Sequence, residues 1–211
     1  MSLRVAVLVS GEGSNLQAIL DSVHGRHGVE VVGVASSRAG ARGLERAQLA
    51  GVGTAVFQRA DYPERADRDA ALGDWLESRG AELVVLAGFM EILSAEFIRR
   101  FAGRIVNVHP SLLPAFAGIR AIEQALDYGV KVMGVTVHFV DEGVDSGPII
   151  LQEAFDVLPY SGDIAAIEER VHEIEHRLLP RAVSLIAAGK VRVDPASPRQ
   201  VIIEGGHDGD D

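Results

Sequence analysis

The sequence predicts an α/β protein with a Rossmann-like, doubly wound, mostly parallel sheet and an antiparallel C-terminal portion. Two observations carry that expectation. From Leu3 to Tyr128, short and almost continuous apolar runs alternate with stretches of helical spacing. Uninterrupted apolar runs separated by helices mark parallel strands covered on both faces. Beyond Gly129 the alternation stops, and two longer strand-like runs follow one another across an acidic, Gly-rich loop. Strands joined that directly pair antiparallel.

Leu3–Val9 is the first strand; Ser10-Gly11 ends it, and Leu16–Val23 has the spacing of a helix. Val29–Ala35, Thr54–Phe57, Leu83–Ala87 and Ile105–Val108 read as further buried strands, rich in β-branched residues. Ala41–Ala50, Arg65–Arg79, Ala95–Phe101 and Ile119–Tyr128 are the helical stretches among them and after them. Lys131–Val140 and Ile149–Val157 form the antiparallel portion, joined by Asp141–Pro148. Asp163–Ala188 is a long helical stretch that Pro180 is expected to kink or divide. Residues 1–193 form one domain, with no internal repeat or linker. Residues 194–211, dominated by Pro, Ser, Gly and Asp, read as a partly disordered tail.

A chain of 211 residues with 47% hydrophobic and 24% charged residues can bury one sizeable core. It has no cysteine, which removes disulfides, thiolate nucleophiles and Cys-ligated zinc together. A formal net charge of −10 argues against nucleic-acid or anionic-membrane binding. Small anions are still admissible, because helix N-termini bind phosphate without net positive charge. The apolar Leu3–Val9 run is too short for a membrane span or a secretion signal, so the cytoplasm is the expected location.

Three stretches carry candidate chemistry. Ser10-Gly11-Glu12-Gly13-Ser14-Asn15-Leu16 follows the first strand and opens the first helix. It approaches a dinucleotide fingerprint, but Leu16 occupies the third glycine position, so a phosphate on a smaller ligand fits better. Leu86–Leu93 leaves the fourth strand, with Gly88 permitting close approach by a ligand and Phe89, Met90, Ile92 and Leu93 able to line an apolar slot. In Arg104–Pro114, Asn107 and His109 lie two apart on a strand and project to one side, and Pro110 stops the strand just beyond them. They therefore point into the crevice past the carboxyl ends of the strands, where open α/β sheets bind ligands. The loop Asp141–Pro148 lacks the ligand spacing of an EF-hand; its Asp145 can instead face His109 and favour the imidazolium. His172 and His176, one helical turn apart, have a spacing that can bind metal, but Glu173 and Glu175 beside them make a polar helix face the better reading, and no metal is expected. His138 reads as a satisfied core or edge residue.

Taken together, GEGSN, LAGFM, NVHPSLLP and DEGVDSGPII, in that order over about residues 3–190, resemble the 10-formyltetrahydrofolate-dependent formyltransferases. The likeness is greatest to members that act on 5′-phosphoribosylglycinamide (GAR) in purine synthesis. It implies a cosubstrate, 10-formyltetrahydrofolate, whose formyl group passes to the glycinamide amine. It also implies a catalytic trio of Asn107, His109 and Asp145. Gly13, Ser14, Asn15, Arg65, Gly88 and Glu175 would hold GAR. Met90, Glu91, Ile92 and Leu93, with Val140, Asp141, Glu142, Gly143 and Val144, would take the folate. The chain departs from the family at Glu91, where Arg is common, at Arg120 and Ile122, where many members carry His, and at His172, where a relative has Gln. The partners so implied are small molecules, with no nucleic acid or membrane, and the chain would act as a monomer or homodimer. Rival readings are a formyltetrahydrofolate hydrolase, which would carry an extra N-terminal domain, a tRNA-directed formyltransferase, which needs an additional C-terminal domain, and, from another class, a non-catalytic nucleotide-binding protein.

Overall fold

A computed structural model of the chain describes residues 2–160 and 163–205. The elements run β1 (Leu3–Val9), α1 (Ser14–Ser22), β2 (Val29–Ser36), α2 (Arg42–Leu49), β3 (Thr54–Val56), α3 (Arg65–Ser78), β4 (Leu83–Leu86), α4 (Ala95–Arg100) and β5 (Ile105–His109). They continue with α5 (Ala121–Tyr128), β6 (Val132–Phe139), β7 (Ile149–Asp156), α6 (Ile164–Ala187), β8 (Val191–Asp194) and β9 (Ser197–Ile203). A seven-stranded sheet has the order β3-β2-β1-β4-β5-β6-β7. Strands β1 to β5 pair in parallel, while β5–β6 and β6–β7 pair antiparallel. The fold class and its change of texture after Gly129 are as the sequence predicts.

The apolar runs are continuous because each face of the sheet meets its own helices. In β1, Val5, Val7 and Val9 pack with Leu16 and Ile19 of α1 and with Ile174 and Leu178 of α6. Ala6 and Leu8 turn the other way, onto Leu72 and Leu76 of α3 and Phe97 and Phe101 of α4. Fully burying each such Leu or Ile contributes about 1.5–3 kcal/mol. Order reverses between β1 and β4, and the loops leaving these two strands splay apart to open a crevice at their carboxyl ends.

Two expectations are corrected. Pro180 does not divide the last long helix: α6 is continuous over Ile164–Ala187 with Pro180 inside it. An interior proline costs about 3 kcal/mol, but Leu178, Leu179, Ala182 and Val183 around it are all buried against the sheet and outweigh that. The segment beginning at residue 194 is not an irregular tail over its described part. Asp194 closes β8, which forms an antiparallel hairpin with β9 across Pro195-Ala196, and the Ala196 N–H donates to Asp194 Oδ1 at 2.9 Å. Residues 206–211 lie outside the described residues.

Candidate active site

The loop after β1 is shaped by two glycines. Gly13 has φ +71°, and a Cβ there would sit 2.6 Å from the Cα of Gly43 at the start of α2. A larger residue at Gly13 would push the loop off α2, and a Cβ at Gly43 would sit 3.0 Å from the Val9 side chain of β1. The Gly43 N–H donates to Gly11 O at 3.1 Å, which ties the loop to α2. Glu12 is held from the same side: Arg42 meets its carboxylate at 2.9 Å and Arg46 donates to its carbonyl at 2.8 Å. The first backbone N–H groups of α1, which no helical carbonyl can satisfy, therefore open into a fixed space.

That space is a cleft of about 350 Å³ lined by Ser10–Asn15, Arg38, Ala87, Gly88, Met90, Val108, Pro110, Ile122, Val171, His172 and Glu175. It gathers Gly13, Ser14, Asn15, Gly88 and Glu175, five of the six positions assigned to GAR by resemblance. Asn15 Nδ2 donates to Glu175 Oε2 at 2.8 Å, joining α1 to α6 across 160 residues of sequence. Burial pushes the Glu175 carboxyl up, with the Asn15 hydrogen bond and the charge of His172 pulling back less strongly. Asn15 Oδ1 is buried and has no partner among the described residues. An unmatched acceptor beside a reluctantly ionised carboxyl suits a ligand bringing hydroxyl donors.

Arg65 is not at the cleft wall. It opens α3, exposed, three residues before Arg68. Met90 also falls differently from expectation: its N–H donates to Ser10 Oγ at 2.9 Å, and it lines the cleft with the phosphate loop.

The other positions assigned to the folate line a second recess of about 180 Å³. Its walls are Leu86, Phe89, Glu91, Ile92, Leu93 and Ile98 on one side, and Val140–Asp145 with Asn107 and His138 on the other. The loop after β4 thus serves both recesses, with Ala87, Gly88 and Met90 facing the cleft and their neighbours facing the groove. A buried guanidinium fixes this loop. Arg68 is fully buried; its Nε and Nη2 donate to Asp69 Oδ1 at 2.8 and 2.6 Å, its Nη1 to Glu91 at 2.9 Å, and its Nη2 to Ile92 O at 3.2 Å. The second oxygen of Asp69 accepts the Ser94 N–H at 2.6 Å. Glu91 is therefore neutralised from beneath.

Between the two recesses lies the end of β5. Its pleat puts Asn107 and His109 on the α3/α4 face, as their spacing requires. Opposite Asn107 on the antiparallel partner stands His138. His138 Nδ1 lies 2.8 Å from Phe139 O, which can only accept, so Nδ1 carries the proton. The ring Nε2 faces Asn107 Nδ2 at 3.2 Å and Asp145 Oδ1 at 3.7 Å. The same Nδ2 is 3.4 Å from Asp145 Oδ1, a long contact.

Asp145 joins the group from the loop after β6, where it adopts φ +49°, a left-handed conformation that Asp tolerates better than most residues. His109 Nδ1 lies 3.4 Å from Asp145 Oδ2, and that oxygen accepts the Gly118 N–H at 2.8 Å. Burial pushes the Asp145 carboxyl up, but the facing His138 ring, the Gly118 N–H and the charges of the two imidazoles more than offset it, and the carboxyl sits below its ordinary value. Asn107, His109 and Asp145 are thus one cluster.

Two members of the cluster escape the sequence reading. His138 is buried and belongs to the amide's setting; only the β5–β6 register, which brings residues 31 positions apart opposite each other, shows it. Phe116, with φ +53°, places its carbonyl 3.0 Å from His109 Nε2 and covers that ring, so His109 is only 5% exposed. Among the described residues no group of three or more His, Asp or Glu is placed to hold a metal ion, and His172 and His176 stack as rings at 6.1 Å. Among the described residues no helix is long and apolar enough to cross a membrane.

Known proteins are similar to the chain in sequence and in fold. A 192-residue stretch is 47% identical to the trifunctional purine biosynthetic protein adenosine-3 of Drosophila pseudoobscura pseudoobscura; it covers 90% of this chain but only 14% of that protein. The phosphoribosylglycinamide formyltransferase of Haemophilus influenzae is 41% identical over 191 residues, covering 90% of each chain. The crystal structure of glycinamide ribonucleotide transformylase 1 from Symbiobacterium toebii superposes with a TM-score of 0.90 at 48% identity, over 96% of this chain and 94% of that one. The profile of the formyl transferase family matches residues 3–183, from the first residue of β1 to the buried end of α6, and so spans both recesses and the cluster between them. On that match and those identities, the chain belongs to the formyl transferase family.

Proposed function

We propose that the chain transfers the formyl group of 10-formyltetrahydrofolate to the glycinamide amine of GAR, giving the N-formyl product and tetrahydrofolate. The observation that carries this reading is the placement of Asn107, His109 and Asp145 between two recesses of different chemistry. The cleft with the phosphate loop takes GAR, its phosphate at the start of α1 and its ribose hydroxyls at Asn15 and Glu175. The groove between the loop after β4 and Val140–Val144 takes the pterin, whose edge is read largely by backbone groups. The amine and the formyl carbon then meet at the end of β5.

The amine nitrogen attacks the formyl carbon, and the carbonyl π pair moves onto oxygen. Two donors await that charge. Asn107 turns toward it the amide hydrogen engaged only in the long contact to Asp145, and the His109 imidazolium turns toward it the N–H now aimed at Phe116 O. Such preorganised donors stabilise the oxyanion more than the ground-state carbonyl. Asp145, whose carboxyl is held below its ordinary value, faces the ring at Nδ1 and orients it. The attacking nitrogen loses a proton, N10 of the folate gains one, and collapse of the intermediate breaks the C–N10 bond. The substrates are small molecules; the reaction is placed in the cytoplasm and needs no metal.

The deciding experiment follows folate absorbance with each substrate present or withheld. The change occurs only when GAR and the formyl donor are both present. A change without GAR would make the chain a hydrolase, and no change in any mixture would make it a binding protein.

A further inference from the structure

The loop Gly11–Asn15 offers N–H groups, but the cleft around it is not electropositive. The charged residues lining it are Glu12, Glu175 and Arg38, with His172 beside them. The two other guanidiniums close to the loop are already engaged. Arg42 pairs with Glu12 at 2.9 Å, and Arg46 is held by Glu12 O and by Gln17 Oε1 at 3.1 Å. A helix start attracts an anion by about 0.3–1 kcal/mol at exposed positions, and in a protein of net charge −10 a fixed positive group on the wall adds to that.

We infer that Arg38, two residues past β2, is the cationic contact that selects a phosphorylated substrate in the cleft. It is exposed, and among the described residues its side chain makes no hydrogen bond or ion pair, so nothing competes for the guanidinium. Its backbone, by contrast, is pinned. Ser36 Oγ accepts the Arg38 N–H at 3.0 Å and donates to Arg38 O at 2.8 Å, and the Ala41 N–H donates to the same carbonyl at 3.3 Å. A rigid base carrying an unengaged planar cation beside a nest of N–H groups matches bidentate phosphate recognition. The resulting specificity is for the phosphomonoester over the bare riboside.

This inference rests on reading the cleft as the sugar-phosphate site, and its test separates the two. GAR and its phosphate-free counterpart, glycinamide riboside, are titrated calorimetrically into the wild type, Arg38→Ala and Arg38→Lys. Arg38→Ala weakens GAR binding about ten- to a hundredfold, the range for a lost charge-assisted contact, and leaves the riboside within about twofold. Arg38→Lys restores part of the loss, as a point charge without the planar fork. Raising salt from about 50 to about 500 mM shrinks the gap between wild type and Arg38→Ala. Equal losses for GAR and riboside, or no loss for either, overturn the inference. If GAR does not bind the wild type, it is the reading of the cleft as a GAR site that fails, and inorganic phosphate followed by ³¹P NMR then decides on Arg38. Phosphate bound by the wild type and not by Arg38→Ala supports the inference; the same behaviour in both proteins overturns it.

Discussion

On the α1 side of β5 the cleft is formed by a loop and helix start held open by Gly13 against Gly43, with one buried acceptor, Asn15 Oδ1, unmatched among the described residues. On the α3 side the groove is held by charge, with Arg68 buried beneath the loop after β4 and shared among Asp69, Glu91 and Ile92 O. The cleft is shaped by what a Cβ would obstruct. The groove is shaped by a buried ion that cannot be left uncompensated. A change in the first should therefore show in ligand affinity, whereas a change in the second should show in the stability of the loop and, through it, of the fold.

The largest effect is expected where the two recesses meet. His109→Ala removes the imidazolium and lowers turnover by at least about 10²–10⁴-fold, while GAR binding, decided on the far side of the strand, changes little. Asn107→Ala costs about 10²–10³ in rate, as for loss of one oxyanion donor. Single-turnover rates measured beside GAR titrations check both. Near-native turnover in either variant would remove that residue from the mechanism.

Next in size is a pair of substitutions that tests the contrast directly. Arg68→Ala leaves Asp69 and Glu91 without their cation and destabilises the protein by about 3–5 kcal/mol, the usual cost of breaking a buried pair. In protein that still folds, the KM for the formyl donor rises more than that for GAR. Asn15→Ala shifts the urea midpoint little and raises the KM for GAR instead. Urea unfolding and initial rates on both variants settle it. Equal stability losses, or KM effects at the wrong substrates, would show that the two recesses are not built differently.

The parts of this arrangement that were legible in the sequence share a physical cause. From Val5 of β1 and throughout β4 and β5 both faces are buried, so the residues must be apolar, and the exceptions, Asn107 and His109, stand out against that background. The hairpin β8–β9 escaped because none of its residues is buried and the alternation Val191-Arg192-Val193-Asp194 is only four residues long; its Pro and Ser, which read as disorder, sit in a turn and at a strand start. Pro180 misled because helix propensity is local while the packing around it is not. Arg38, Arg68 and His138 share a different cause. Each matters through a neighbour distant in sequence, as His138 does through Asn107, and no residue pattern specifies such a neighbour before the register of the sheet is known.

The smallest expected effect is a difference in sign. Glu175, in the cleft, has its carboxyl pushed up from the ordinary value of 4.5 by burial. The folded protein therefore holds that proton more tightly than the unfolded chain does. The stabilisation this gives is complete below pH 4.5 and is lost as pH rises through the folded-state value. Asp145, at the edge of the groove, is held below its ordinary 3.8 despite burial, by the facing His138 ring, the Gly118 N–H and the imidazole charges. Its contribution is present above pH 3.8 and is lost as pH falls through the folded-state value. Stability relative to wild type should thus rise with pH above 4.5 for Glu175→Gln and fall as pH climbs toward 3.8 for Asp145→Asn. Urea midpoints of the three proteins across the acidic range measure both slopes. Should the two variants follow slopes of the same sign, the carboxylates would share one kind of environment. The buried, reluctantly ionised acid of the cleft and the acid that faces His109 could then no longer be told apart by titration.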